Sequence, residues 1–347
     1  MKIQNFFGLA VGLALSASFA SAGSVTYTCD SGLTADGTCA VLNSTIAGLY
    51  DSTFTNANAS IYIQYGSTGL ASSLQYYDNV SYTAYVDALT AAEGDANDVT
   101  AVNSLGGDTT NPVVSGSGVA LTSALAQALG LSTVAGSVGI QSAAGADPGG
   151  TCTLGADANC YNGIETLNSA SGTWYYRSGA QGSGTYDIYS AVEHETDEVL
   201  GTSSCITGSD PSTIATSVNC TNGTPSTAVS PADLFRYSAS GTRSYLGSAN
   251  GSTAYFSIDG GVTDIANYNN SPNGADYGDW DSAALRVQNA YGTPDTTGTD
   301  ITNDGGSEIA VLDAVGYNLV SSTPEPGTIA LLGGGLALLG LMRRRRA

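Results

Sequence analysis

The stretch from Tyr186 to Gly201 reads YDIYSAVEHETDEVLG and predicts an amphipathic helix. Apolar side chains recur at helical spacing, at Ile188, Ala191, Val192, Val199 and Leu200. Asp187 is a residue type that caps helix N-termini, and Gly201 can end the helix in the left-handed conformation that glycine adopts at little cost. The sequence therefore predicts a helix that starts after Asp187 and ends at Gly201.

His194, Glu195 and Glu198 form the pattern HExxE within this helix. Residues four apart on a helix project from the same face, so His194 and Glu198 can bind one ion. In the related HExxH motif, the first and fifth residues bind zinc and the second acts as a general base. The pattern predicts metal ligation by His194 and Glu198, with Glu195 as the catalytic base that activates a metal-bound water.

A structural interpretation of the same residues stays open. The chain has a single histidine and only seven glutamates, yet three of those glutamates lie within six residues of one another. The acids could nevertheless form a solvated helix face, with Glu198 as an i,i+4 partner of His194 and Glu195 as a surface acid. The clustering of the rare glutamates around the only histidine favours a metal-binding helix.

Four further acids in the C-terminal half could form a Ca²⁺ site or serve as ordinary turn residues: Asp259, Asp264, Asp276 and Asp279.

Both ends of the chain have the composition of targeting segments. Residues 1–22 contain Lys2, an apolar run and an A-x-A cleavage site, which predict a signal peptide and a mature chain that begins near Gly23. Residues 321–347 contain Pro-Glu-Pro, an apolar segment and four terminal arginines. This order resembles the PEP-CTERM signal that exosortase-type enzymes process in Gram-negative bacteria. The apolar segment of 15 residues predicts a short transmembrane helix of about 22 Å, suited to transient inner-membrane anchoring.

Charge and cysteine content fit an exported protein. Five of the nine basic residues lie in the two end segments, which leaves four arginines against about 30 acids. A surface this acidic repels nucleic acid and anionic membranes. Six cysteines in an exported chain indicate disulfides, and a cysteine-ligated zinc site is the less favoured alternative. Proximity in sequence favours the pairs Cys29–Cys39, Cys152–Cys160 and Cys205–Cys220.

Hydrophobic patterns outside the motif alternate between strand and helix. Alternation predicts a strand over Ala59–Gly66, and helical spacing predicts helices over Val80–Ala92, Leu121–Leu131 and Ile309–Val315. Neither repeats nor a clear linker interrupt this pattern. We therefore expect a single domain over residues 23–320.

Five short motifs occur in order between residues 194 and 318: HETDEVLG, DLFRYS, YFSIDGG, DYGDW and LDAVGY. In this combination the chain resembles a family of PEP-CTERM-sorted metalloproteases, and HETDEVLG resembles the first part of the metzincin pattern HExxHxxGxxH/D. The resemblance implies an α+β, metzincin-like zincin domain with a mixed sheet, an active-site helix and long disulfide-tied loops. It also marks the segment DLFRYS, so Asp233, the first residue of that segment, is the predicted third metal ligand. Asp233 could equally cap that segment or pair with Arg236.

The chain departs from the metzincin pattern at three points. Glu198 stands in place of the second histidine, Ser204 stands in place of the third ligand, and the only methionines are Met1 and Met342. Carboxylate ligands admit Mn²⁺ or Ca²⁺ more readily than a histidine-rich site does.

Three functions follow as hypotheses. The favoured one is an exported zinc endopeptidase that acts on peptide or protein substrates. The alternatives are a catalytically inactive, cation-binding protein of the cell surface or extracellular matrix, and an acidic Ca²⁺-binding adhesin.

Overall fold

The motif helix packs against a mixed four-stranded sheet in the computed structural model. The structure describes residues 23–67, 69–112, 118–131, 135–139, 150–170, 172–206, 220, 228–245, 253–271 and 276–320. The signal peptide predicted for residues 1–22 and the transmembrane helix predicted within 321–347 lie outside the described residues. Within the described ranges, every helix is too short or too polar to cross a bilayer.

Runs of strands and runs of helices follow one another along the chain, as in an α+β protein. The strands are β1 (Ser24–Cys29), β2 (Asn58–Gly66), β3 (Ala71–Gln75), β4 (Tyr77–Ser81), β5 (Gly118–Thr122), β6 (Ala135–Gly139), β7 (Thr151–Thr153), β8 (Cys160–Tyr161), β9 (Gly163–Asn168), β10 (Trp174–Tyr175), β11 (Tyr186–Asp187), β12 (Arg236–Ala239), β13 (Thr242–Arg243), β14 (Tyr255–Phe256) and β15 (Ala266–Asn267). The helices are α1 (Ser31–Ala35), α2 (Thr38–Val41), α3 (Ala47–Thr53), α4 (Tyr82–Ala92), α5 (Ala96–Leu105), α6 (Ser123–Ala128), α7 (Ile188–Asp197) and α8 (Ser307–Val315). Shorter helical turns among the described residues are the π-helical Leu42–Ile46 and Glu198–Thr202 and the 3₁₀-helical Ala232–Phe235.

The main sheet has the strand order β1-β2-β9-β3. β1, β2 and β9 run parallel, and β3 pairs antiparallel with β9 at the edge. The alternation predicted for residues 59–66 is observed in β2, where Ile61 and Ile63 are buried. The sheet is therefore mixed, as predicted, and β3 is an edge strand.

The motif helix α7 is anchored on this sheet by polar contacts as well as by apolar packing. Ile188 and Val192 are buried in the main core. The hydroxyl of Thr196 lies 2.9 Å from the Tyr27 hydroxyl on β1 and donates to a Glu165 carboxylate oxygen on β9 at 2.9 Å. These contacts fix how far α7 can rotate about its axis.

A four-stranded antiparallel sheet, with the order β13-β12-β14-β15, follows the motif helix. Three smaller groups join the remaining strands: β10 with β11, β4 with β5, and β6 with β7 and β8. Residues Ala22–Val320 form one compact unit.

The three predicted disulfides are confirmed. Their Cα–Cα distances are 6.0 Å for Cys29–Cys39, 5.8 Å for Cys152–Cys160 and 5.3 Å for Cys205–Cys220. The described residues leave no cysteine free to bind zinc.

The helix predicted over Leu121–Leu131 is shorter than expected. Residues 118–122 instead form β5, which pairs antiparallel with β4. The Thr122 side chain then caps the following helix by accepting a hydrogen bond from the Leu125 backbone N–H at 3.3 Å. β-Branched residues such as Val119 and Thr122 favour strands, which accounts for the shift.

Candidate metal centre

The N-terminus of α7 is fixed by the predicted cap. One carboxylate oxygen of Asp187 accepts hydrogen bonds from the backbone N–H groups of Tyr189 at 3.0 Å and Ser190 at 3.4 Å. Its second oxygen accepts from Arg177 Nε at 2.7 Å and from the Gly298 N–H at 3.0 Å. The cap therefore ties the start of the helix to two other parts of the chain.

The C-terminal end of the helix widens into the π-helical turn Glu198–Thr202. Gly201 has φ = 124°, and a Cβ atom there would lie 3.1 Å from Leu125 Cδ2. Glycine thus supplies both the unusual dihedral angle and the close packing. Single π-helical turns within α-helices are frequent at functional sites.

His194 presents its Nε2 atom to two carboxylates. The ring Nδ1 atom lies 3.1 Å from the Val287 carbonyl oxygen, which can only accept, so Nδ1 carries the proton and Nε2 is free to bind an ion. Nε2 lies 3.9 Å from Glu198 Oε1 and 3.8 Å from Asp279 Oδ1. One ligand atom from each of the three residues lies within 4.8 Å of the others.

Asp279 reaches this position on a closely packed loop. A Cβ atom on Gly278 would come within 2.9 Å of the Thr202 carbonyl oxygen, so only glycine allows the loop to approach the end of the motif helix this closely. Trp280, which follows Asp279 directly, is buried and donates its indole N–H to Glu308 of α8 at 2.8 Å. Asp279 is therefore held between α7 and α8.

The same loop is tied to β12 by a buried arginine. Arg236 donates to the Tyr277 carbonyl oxygen at 2.6 Å and to Asn270 Oδ1 at 2.7 Å. Its guanidinium also stacks over the Tyr268 ring at 4.3 Å. The sequence motif DLFRYS thus positions the motif DYGDW.

Glu195 lies beside the three ligand residues and is only 5% exposed. Burial raises the pKa of its carboxyl group well above the usual range, and the negative charge of Glu198 raises it further. A solvated surface acid would show neither effect, so the structural interpretation of Glu195 does not hold.

Two neighbouring aspartates share this electrostatic environment. Burial raises the pKa of Asp279 well above its usual range, with a further contribution from the charge of Asp276. Burial and the charge of Glu198 raise the pKa of Asp276 to about 7. The carboxylates of Glu195, Glu198, Asp276 and Asp279 repel one another, and a bound divalent cation would offset this repulsion.

Asp233 does not reach this group. Its carboxylate accepts hydrogen bonds from Ser204 Oγ at 2.5 Å, the Cys205 N–H at 2.9 Å and the Ser230 N–H at 3.2 Å. The position predicted for Asp233 is occupied by Asp279, and Asp233 instead secures the loop that leaves the motif helix. Ser204, at the metzincin third-ligand position, is its hydrogen-bond partner.

The four aspartates considered for a Ca²⁺ site do not come together as a set. Asp259 accepts bonds within its own turn, from Ser257 Oγ at 2.7 Å and Thr263 Oγ1 at 2.7 Å. Burial alone would raise the pKa of Asp259, but these hydrogen bonds outweigh it and lower the pKa to about 2. In the described parts of the chain, Asp259 and Asp264 belong to no group of converging ligands.

A cleft with a volume of about 490 Å³ opens onto the three ligands. One wall is formed by residues 69–73, which include the start of the edge strand β3. Residues 285–287 and 289–293 also line the cleft. On the β3 side, Ser73 Oγ donates to Glu198 Oε2 at 2.5 Å, which leaves Oε1 facing His194.

Comparison with known proteins informs the C-terminal segment. The model of the PEP-CTERM protein-sorting motif matches residues 322–346. The motif marks a protein that a Gram-negative bacterium exports, anchors and sorts through its C-terminus, with recognition by an exosortase-type enzyme. No curated protein and no solved structure matches the chain. The resemblance to metzincin-like proteases and a place in the extracellular matrix therefore stay predictions.

Proposed function

We propose that this protein is an exported zinc-dependent endopeptidase in which His194, Glu198 and Asp279 bind the metal. The observation that carries the proposal is the convergence of these three side chains at an open cleft beside Glu195. The proposal keeps the HExxE assignment and replaces Asp233 by Asp279 as the third ligand.

The donor atoms fit a zinc ion. Ligands bound tetrahedrally at 2.0–2.2 Å lie about 3.3–3.6 Å from one another. The separations from His194 Nε2 are 3.9 Å to Glu198 and 3.8 Å to Asp279, so small side-chain movements bring the three atoms to bonding distance. One imidazole and two carboxylates also suit Mn²⁺, which is the competing metal to test.

Glu195 is placed to handle a proton. When bound, the cation would polarise a substrate carbonyl and make a water molecule in the cleft more acidic. Glu195 lines the cleft and accepts that proton. Burial is the main cause of the raised pKa of Glu195 and repulsion from Glu198 and Asp279 adds to it; a positive charge held by these two carboxylates would offset their repulsion. The ionised, base-competent form of Glu195 is therefore favoured when the ligands are occupied.

The residues that line the cleft support an extended peptide as substrate. The cleft is lined by three residues of β3, which are Ala71, Ser72 and Ser73. Among the described strands, β3 lies at the edge of the main sheet. An edge strand can pair with an extended peptide through main-chain hydrogen bonds. Leu285, which also lines the cleft, is 41% exposed and offers apolar contact to a substrate side chain.

The proposal is tested with Glu195→Gln and a matched control, Glu93→Gln. Glu93 is exposed at the end of α4, outside the cleft. Each protein is loaded with Zn²⁺ or Mn²⁺ and assayed on a quenched fluorescent peptide library. We expect Glu195→Gln to lose about 10²–10⁴ in rate while retaining the metal, because glutamine cannot accept the proton. The control should match wild type.

The same assay separates the alternative function. A wild type that binds one equivalent of metal yet cleaves no peptide supports the cation-binding surface protein. Equal cleavage by wild type and Glu195→Gln contradicts the assigned role of Glu195.

A further inference from the structure

A second group of carboxylates lies between the start of α5 and the end of α8. One oxygen from each of Asp95, Asp98 and Asp313 lies within 4.8 Å of the others. None of the three lines the cleft described above. Asp98 and Asp313 are 5% and 2% exposed, whereas Asp95 is exposed to solvent.

Helix capping explains only part of this arrangement. Asp95 Oδ1 accepts from the Asn97 N–H at 2.7 Å and the Asp98 N–H at 3.3 Å. Asp98 Oδ2 accepts from the Gly94 N–H at 2.6 Å and the Asp95 N–H at 3.1 Å. These bonds form a capping box and use one oxygen of each aspartate. The hydrogen bonds of the capping box involve only Asp95 and Asp98 and do not require a third carboxylate.

Asp313 is that third carboxylate. Its Oδ1 atom is buried and accepts no hydrogen bond. Burial raises the pKa of Asp313 to about 8, and the charges of Asp98 and Asp95 contribute, while the Asn97 side chain offsets only part of the rise. The ion pairs of the described residues all lie elsewhere. Asp313 therefore keeps one buried carboxylate oxygen that accepts no hydrogen bond, close to two other carboxylates, which is a costly arrangement unless a cation joins them.

We propose that Asp95, Asp98 and Asp313 bind a Ca²⁺ ion that joins α5 to α8. The donors are all carboxylate oxygens, which suit a hard cation and not zinc. Ca²⁺ takes six to eight oxygen ligands, and the exposed Asp95 side leaves room for water to complete the set. The ion is distinct from the one proposed for His194.

The position of α8 matters for the first site, which gives this ion a structural role. Glu308 in the first turn of α8 accepts hydrogen bonds from Trp280 Nε1 at 2.8 Å and from the Gln288 N–H at 3.0 Å. Trp280 follows Asp279 directly, and Gln288 follows Val287, whose carbonyl oxygen orients His194. Fixing α8 to α5 therefore supports both the histidine and the third ligand.

The test uses calorimetric titration with CaCl₂ in a His194→Ala background, which removes the first site. We expect one equivalent of Ca²⁺ to bind. Asp313→Asn should weaken binding at least tenfold, as should Asp95→Ser, which keeps a capping oxygen but removes the carboxylate. The control Asp87→Asn, an exposed aspartate on α4, should bind as the background does.

Melting curves separate a ligand role from a merely structural one. In chelator above about pH 8, where Asp313 is ionised, Asp313→Asn should melt at a higher temperature than its parent, because it removes a buried negative charge close to Asp95 and Asp98. In Ca²⁺ the parent should gain stability and Asp313→Asn should not. The absence of Ca²⁺ binding, unchanged affinity in Asp313→Asn, or tighter binding of Mg²⁺ than of Ca²⁺ would overturn the proposal.

Discussion

Replacement of Asp233 should lower the stability of the fold and leave zinc binding unchanged, whereas replacement of Asp279 should weaken zinc binding and leave stability unchanged. Asp233→Ala removes the acceptor for the buried N–H groups of Cys205 and Ser230. Each unsatisfied buried donor costs about 1–3 kcal/mol, so the variant should lose about 2–6 kcal/mol of unfolding free energy. Burial raises the pKa of Asp233, so removing this buried carboxylate also removes an unfavourable desolvation cost. We therefore expect a loss of unfolding free energy near the lower limit of this range. Metal binding by the folded variant should be unchanged.

Asp279→Asn should show the reverse pattern. Its carboxylate is buried near the negative charges of Asp276 and Glu198, so the metal-free protein should lose no stability. Zinc affinity should fall at least tenfold, since even indirect contacts to metal ligands are worth 10–100-fold. Urea denaturation in chelator measures the stabilities, and equilibrium dialysis measures zinc binding. Loss of zinc from folded Asp233→Ala, or full zinc affinity in Asp279→Asn, would refute the assignment.

Three further predictions concern the turn, the pH dependence and the chain ends. Gly201→Ala should destabilise the fold by about 1–3 kcal/mol, because alanine is strained at φ = 124° and meets Leu125; urea denaturation measures this. In the presence of a chelator, Asp276 of the folded protein keeps its proton up to about pH 7, whereas the unfolded chain loses that proton near pH 4. The free energy of unfolding should therefore fall as the pH rises from about 4 to about 7. Asp276→Asn should flatten that fall, and an unchanged slope would contradict the cause. Mass spectrometry of the exported protein should find a chain from about Gly23 to near Pro324, and an intact tail of four arginines would contradict processing at the sorting motif.

Local features were predictable from the sequence. The helix follows from apolar spacing and its Asp187 cap, and both lie within one short segment. The disulfides follow from cysteines 8–15 residues apart. Each of these depends on residues that are neighbours in the chain, so tertiary structure has little opportunity to override them.

The third ligand was not predictable in the same way. Asp233 and Asp279 both lie in motifs with apolar neighbours, and sequence gives no means to rank them. Asp279 reaches His194 because Arg236 and Trp280 hold its loop, and those contacts join segments more than 25 residues apart. The usable signal was the pattern DYGDW, in which an aspartate directly precedes a buried tryptophan. The α5–α8 carboxylates were missed for the same reason, since Asp98 and Asp313 meet only after folding.

Anomalous diffraction at the zinc edge tests the metal assignment most directly. Crystals of the protein grown with Zn²⁺ should show an anomalous peak about 2.0–2.2 Å from His194 Nε2 and from carboxylate oxygens of Glu198 and Asp279. Asp233 should remain bonded to Ser204 and Cys205 in the same crystals. A zinc peak coordinated by Asp233, or the absence of any peak at His194, would contradict the proposed centre.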